Sequence, residues 1–220
     1  MATYYSGRSN GYRLVLTVTE TSTSITNNTS NISWNLKCEN QTLYAQWNPG
    51  PGTVTVTIDG VQVYSGRPAF VFPGYNSSIT MCSGTRTITH NADGSKSIGC
   101  SASYTATSSA SYLPGNMSVS GTLGLTTIAR ATQPSVNPSS VTMGSAITIS
   151  TPRASSSFTH TLKYTFGSAS GTIATGVGTS QSWTVPTSLA TQIPNSTSGT
   201  GTITCDTYNG STYIGSKSVA

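Results

Sequence analysis

Charge is what this chain has least of. Charged residues occupy 7% of its 220 positions, where an average globular protein has about a quarter. Acids are the scarcest: Glu20, Glu39, Asp59, Asp93 and Asp206 are the whole set. Asp59 and Asp93 fall in turn sequences, which leaves little from which to build the fixed carboxylate pair of a glycosidase. Imidazole is equally sparse. His90 and His160 are the only two histidines, and a Ser-His-Asp or Cys-His relay would need one of them. His90 alternates with Ile88 at the mouth of a turn and His160 lies between Thr159 and Thr161, so both read as strand or turn residues, and no nucleophile-elbow motif is present. The sequence therefore predicts no catalytic residue and a protein that is not an enzyme.

Other absences exclude other classes. Cys38, Cys82, Cys100 and Cys205 have no CxxC spacing, so no zinc site is expected. Cys38, Cys100 and Cys205 sit beside alternating apolar positions and read as small buried hydrophobes, with a Cys38 to Cys100 bridge left open. Asn91, Asp93 and Gly94 have the spaced oxygens of a calcium loop, but the glycine comes too early and Ala102 stands where the closing acid belongs. No metal and no cofactor are expected. The ten basic residues run from Arg8 to Lys217 with no cluster of three, which gives a net charge of +5 but no stripe to neutralise neighbouring phosphates, so nucleic acid is not an expected partner. No apolar run approaches membrane-spanning length, and Met1-Ala2-Thr3-Tyr4-Tyr5 lacks the basic and apolar regions of a signal peptide. The expectation is a chain made in the cytosol, with no membrane partner.

Ser and Thr fill much of the space that charge leaves, at roughly a third of the chain. Disorder is not implied, because 11 Tyr, 3 Trp and 4 Phe recur along the sequence together with β-branched residues. Their period is two. Tyr12, Leu14, Leu16 and Val18 share one face, as do Ile32, Trp34 and Leu36, then Leu43, Ala45 and Trp47. Val54, Val56 and Ile58 lead into Asp59-Gly60 and on to Val61 and Val63, the preferred two-residue hairpin turn. A second hairpin is predicted from Thr85–His90 through Asn91-Ala92-Asp93-Gly94 to Ile98, Cys100, Ala102 and Tyr104. Met117, Val119, Leu123 and Leu125 close this set. No segment carries the i, i+3, i+4, i+7 apolar pattern of a helix.

The fold class predicted is all-β, as two tandem antiparallel β-sandwich domains. A jelly-roll or Ig-like domain is expected over 1–131 and an immunoglobulin-like one over 132–220. The division rests on Ile128-Ala129-Arg130-Ala131-Thr132-Gln133-Pro134, followed by Pro138-Ser139-Ser140, which reads as linker. Beyond it the alternation restarts with Val141, Ile147 and Ile149, then Leu162, Tyr164 and Phe166, then Trp183 and Val185, then Ile203 and Cys205. The last strand, Tyr213–Val219, runs straight to Ala220, which predicts a longer parent protein.

Aromatic residues near Pro and Gly are the one candidate binding surface: Tyr4, Tyr5 and Tyr12, then Pro68 to Tyr75, then Tyr208 and Tyr213. Tyr and Trp offer apolar contact together with a hydrogen bond. A platform drawn from Trp47, Tyr75 or Tyr112, stacking on cell-wall polysaccharide, would make the chain a carbohydrate-binding module. Packing in the core is the competing role for the same residues.

Several stretches carry a family resemblance. Ile88-Thr89-His90-Asn91-Ala92-Asp93-Gly94-Ser95-Lys96, Gly121-Thr122-Leu123 through Arg130-Ala131, Ser157-Phe158-Thr159-His160-Thr161-Leu162, Ser182-Trp183-Thr184-Val185-Pro186 and Asp206-Thr207-Tyr208-Asn209-Gly210 resemble siphophage minor structural proteins, a family of unassigned function from phages and prophages of Gram-positive bacteria. The likeness runs over nearly the whole chain. It implies a virion component of the tail tip, baseplate or fibre, assembled in the bacterial host cytoplasm. Its implied partners are other virion proteins and host cell-wall polysaccharide, with self-association into a homo-oligomer, since such parts are generally symmetric. It transfers no catalytic residues.

Overall fold

A computed structural model describes residues 1–41, 45–47, 50–107 and 113–220. Among these the chain is β throughout, with one short 3-10 helix at Thr187–Gln192 and no α-helix. It divides into two compact units. The first comprises 1–24, 28–91 and 95–127, and the second comprises 128–220 with the turns 25–27 and 92–94.

In the first unit, β1 (Ala2–Tyr5), β2 (Tyr12–Ser24) and β3 (Thr29–Asn40) run antiparallel, followed by β4 (Ala45–Trp47), β5 (Gly52–Ile58), β6 (Val61–Gly66), β7 (Phe70–Phe72), β8 (Ser77–Thr89), β9 (Ser97–Ala106) and β10 (Met117–Gly124). One sheet has the order β1-β2-β3-β8, a second β10-β9-β5-β6, and β4 pairs with β7. The alternation read from the sequence is the inward face of both sheets. Leu14, Leu16 and Val18 stand opposite Cys38, Leu36 and Trp34 in register, and these, with Tyr12 and Ile32, share one core with Val54, Val56, Ile58, Ile98, Cys100, Ala102 and Tyr104. Gly121 interrupts the inward row of β10 for a reason of space. The Tyr4 ring lies where its Cβ would be, and any side chain there would overlap it.

The Asp59-Gly60 turn forms as predicted. Both residues have positive φ, 49° and 73°, and β5 returns as β6 with Ile58 opposite Val61. Val61 is nevertheless 50% exposed, because β6 is an edge strand. The second predicted hairpin does not form. β8 pairs with β3 and β9 pairs with β5 and β10, so Asn91–Gly94 carries the chain from one sheet to the other. The turn residues still act locally: Asn91 N–H donates to the Ser95 carbonyl and Gly94 has φ +83°. Reversal of direction was encoded, the pairing partner was not. Leu43 lies outside the described residues.

The second unit contains β11 (Ser135–Asn137), β12 (Ala146–Ser150), β13 (Phe158–Phe166), β14 (Ala169–Val177), β15 (Ser180–Thr184), β16 (Gly201–Asn209) and β17 (Thr212–Val219). They form two antiparallel sheets, β11-β12-β15 and β14-β13-β16-β17. The core is Ile147, Ile149, Leu162, Val177, Ile203 and Cys205. The stretch read as linker holds β11, a three-residue strand whose Val136 sits opposite Ile149. Val136 is its one side chain packed against the core, so the element leaves almost no apolar period to read.

All four cysteines are buried free thiols, so the Cys38 to Cys100 bridge is not formed. Burial pushes Cys38 and Cys82 up to about 12, and Cys100 and Cys205 up to about 11.

Candidate functional site

The acids and histidines are tied into local hydrogen bonds. Ser30, fully buried on β3, donates to Glu20 Oε1 at 2.6 Å, and His90 Nε2 lies 2.6 Å from the same Ser30 oxygen. With the hydroxyl proton spent on the carboxylate, the imidazole Nε2–H is the donor to Ser30. A serine between acid and histidine is the wrong order for a nucleophilic relay, in which the histidine stands in the middle. Thr126 closes the cluster, donating its N–H at 3.0 Å and its hydroxyl at 2.7 Å to Glu20 Oε2. Burial pushes the Glu20 carboxyl up, but the hydrogen bonds from Ser30 and Thr126 and the nearby His90 outweigh it and hold the group below its ordinary value. Ser30 was not legible in the sequence, because serines are too numerous to single one out.

His160 is also fully buried. Its Nδ1 is 2.9 Å from the Val177 carbonyl and its Nε2 is 2.9 Å from Thr132 Oγ1. A carbonyl can only accept, so Nδ1 carries the proton and Nε2 accepts from the threonine hydroxyl. The ring ties β13 to β14 and to the segment before β11. Three further carboxylates make ion pairs: Asp206 with Lys163 at 2.6 Å, Asp59 with Lys96 at 3.1 Å, and Glu39 with Arg13 at 2.6 Å and Arg8 at 3.3 Å. No group of three or more metal-ligating side chains occurs among the described residues.

The aromatic surface expected in the first unit is only partly a surface. Tyr12, Phe70 and Phe72 are buried in the core. Trp47 packs against that core, its ring 6.4 Å from Phe70 and edge-on to it. Tyr75 is 67% exposed, and Tyr112 lies outside the described residues. Trp47 and Tyr75 therefore have different roles, one in packing and one toward solvent. Tyr5 is exposed with the Arg13 guanidinium 4.7 Å above its ring, and Tyr213 is exposed beside Tyr208.

A more developed site lies in the second unit, where a cavity of about 530 Å³ opens. Ligand pockets span about 300–1,000 Å³. The cavity forms because the core thins along β13. Its inward residues Phe158, His160 and Leu162 are fully buried, whereas the next two, Tyr164 and Phe166, are only partly so. Opposite Phe166 in register stands Gly201, and Gly199 lies against the same ring. Both glycines let the backbone lie against the Phe166 ring, where a Cβ would press on it. Ile147 and Trp183, register partners on β12 and β15, line the wall from the other sheet. Trp183 and Tyr164 stack with centroids 5.1 Å apart and planes at 30°. Ser139, Ser140, Thr142 and Thr202 bring hydroxyl groups, and Leu189 and Ala190 of the 3-10 helix complete the rim.

Among the described residues no Asp, Glu, Lys, Arg or His side chain lines this cavity. Its lining side chains are apolar, aromatic or neutral polar, and none of those described is a carboxylate or imidazole of the kind that general acid–base chemistry uses. Its chemistry suits the binding of an uncharged ligand. Trp183 and Tyr164 were legible in the sequence as inward strand residues. Their convergence was not, because it depends on register between strands far apart in the chain.

The chain belongs to a family described as "Siphovirus protein of unknown function" (DUF859), whose model matches residues 1–220. This agrees with the resemblance carried by the motifs around His90, His160 and Trp183. No curated protein matches the chain.

Proposed function

We propose that this protein is a structural component of the virion, placed in the tail tip, baseplate or fibre, that contributes to host-surface attachment by binding and carries out no bond chemistry. Membership of a siphovirus family over residues 1–220 is the observation that carries the reading. The molecule's physical character supports it: an all-β build, few and scattered charges, and acids and histidines engaged in local hydrogen bonds and ion pairs. Its partners on this reading are other virion proteins and host cell-wall polysaccharide, and it self-associates as a homo-oligomer.

The finer fold belongs to the same proposal. Each unit is a β-sandwich, since the inward faces of two sheets contribute to one core. The second is immunoglobulin-like. Naming its seven strands in chain order A, B, C, C′, E, F and G puts A-B-E in one sheet and C′-C-F-G in the other. Relative to the ABED and CFG arrangement of a constant-type domain, the fourth strand has moved across to pair with C.

Antibody raised against the chain, gold-labelled and applied to intact virions, tests the placement. Gold confined to the distal end of the tail is expected, and gold on the head or none at all would overturn it. Saturable binding of the fluorescent purified chain to permissive Gram-positive cells tests the attachment role. Absence of binding on every permissive strain would leave an architectural part only.

A further inference from the structure

We infer that the cavity of the second unit is a binding site for a neutral saccharide, with Trp183 and Tyr164 as its aromatic wall and the hydroxyls of Ser139, Ser140, Thr142 and Thr202 as its hydrogen-bonding partners. The inference deepens the attachment reading and rests on it for the biological source of the sugar, but its physical argument stands on the cavity alone.

Three features narrow the ligand class. First, no ionisable side chain lines the described wall, so a phosphate or carboxylate would lose its hydration without gaining a counter-charge from one. Anionic glycans are therefore disfavoured. Second, the apolar lining is interrupted by hydroxyls. A purely apolar side chain would bury these polar groups unpaired, whereas a sugar, with hydroxyls at its edges and C–H groups on its faces, satisfies both kinds of surface. Third, the aromatic pair is already stacked at 5.1 Å, and its Tyr164 member is braced by the backbone. An added Cβ on Gly171 would press on the Tyr164 ring, and one on Gly199 would press on Phe166, so the backbone lies close against both rings. A wall ordered before the ligand arrives loses less freedom on binding.

The chain contains three tryptophans, which makes a site-specific readout available. Trp34 is buried in the first unit's core and Trp47 packs against that same core. With the 15N-labelled 220-residue chain, the three indole N–H resonances are followed during titration with methyl glycosides of glucose, galactose, rhamnose and N-acetylglucosamine. Glycerol phosphate serves as the anionic comparison and N-acetyl-leucine amide as the apolar one. Saturable movement of the Trp183 indole signal with at least one neutral glycoside, while the Trp34 and Trp47 signals stay in place, is expected. Trp183→Ala should weaken binding at least tenfold, followed through backbone amides of β13. Because that change removes a large side chain, a rim variant is the second probe: Ala190 is exposed beside the mouth, and Ala190→Trp should abolish binding with the melting temperature unchanged.

No movement with any neutral glycoside would overturn the inference, as would movement only with glycerol phosphate or only with the leucine amide. Sugar binding that persists undiminished in Ala190→Trp would overturn the assignment to this cavity. Cell attachment separates the two proposals. Attachment that survives Ala190→Trp at full strength leaves the virion reading standing and removes the saccharide site as its cause, while sugar binding without cell attachment does the reverse.

Discussion

Gly94 shows how much of this fold is decided by single residues. It has φ +83°, and a Cβ at that position would collide with the Ile128 carbonyl oxygen. Glycine meets the dihedral and the contact at once. Gly94→Ala should therefore destabilise by more than the roughly 1 kcal/mol of a simple positive-φ penalty, read as a fall in the urea midpoint. The four cysteines lead to a second expectation. With their thiols buried and pushed up to about 11 or 12, the thiolate needed for disulfide exchange is scarce at pH 8. Ellman's reagent should find almost no reactive thiol in the native protein and all four after denaturation. Rapid native reaction at any one would contradict its burial. Glu20 carries a pH dependence. Its folded carboxyl lies below its ordinary value, so the stabilisation is present above the unfolded value of about 4.3 and is lost as pH falls from there through the folded value. The stability difference between wild type and Glu20→Gln should be larger at pH 7 than at pH 3, and an equal difference at both would remove the carboxylate from the account.

At the level of elements, what could be read was what is local. Strand faces such as Leu14, Leu16 and Val18, and the turn at Asp59-Gly60, depend on neighbours within a few residues, and they formed as the alternation implied. Partner choice is not local. Asn91–Gly94 has hairpin chemistry, yet it joins strands of different sheets, because the inward rows of β8 and β9 meet across the core and not side by side. The cavity was hidden for the same reason: Phe166 opposite Gly201 is a matter of register across 35 residues of chain. The hairpin offers a controlled test of the turn itself. An added Cβ at either Gly60 or Gly99 meets open space, but only Gly60 has positive φ, at 73°. Gly60→Ala should cost about 1 kcal/mol, while Gly99→Ala, in the extended β9, should be neutral or slightly stabilising. Equal losses at both would mean that strain in the turn is not what sets the difference.

For the whole molecule the deciding feature is that two cores of unequal size share one chain. The first draws its inward rows from two four-stranded sheets and includes Tyr12, Trp34, Phe70, Phe72 and Tyr104. The second has six fully packed members and loses its continuity toward Tyr164 and Phe166, where the cavity begins. Hydrophobic stabilisation follows the apolar area removed from water, so the second unit has less to set against its chain entropy. The ion pairs do not reverse that order: Lys163 is half-exposed beside Asp206, and such pairs contribute little in water. Thermal unfolding should accordingly show two transitions, with the second unit melting at the lower temperature. Substitution assigns them. Leu162→Ala removes a fully buried side chain from the second core, and Leu36→Ala does so in the first. Each deletion costs about 2–5 kcal/mol, so Leu162→Ala should lower only the first transition and Leu36→Ala only the second. If one transition is seen and both variants shift it alike, the two cores unfold as one cooperative unit, and the smaller one is stabilised by more than its own packing.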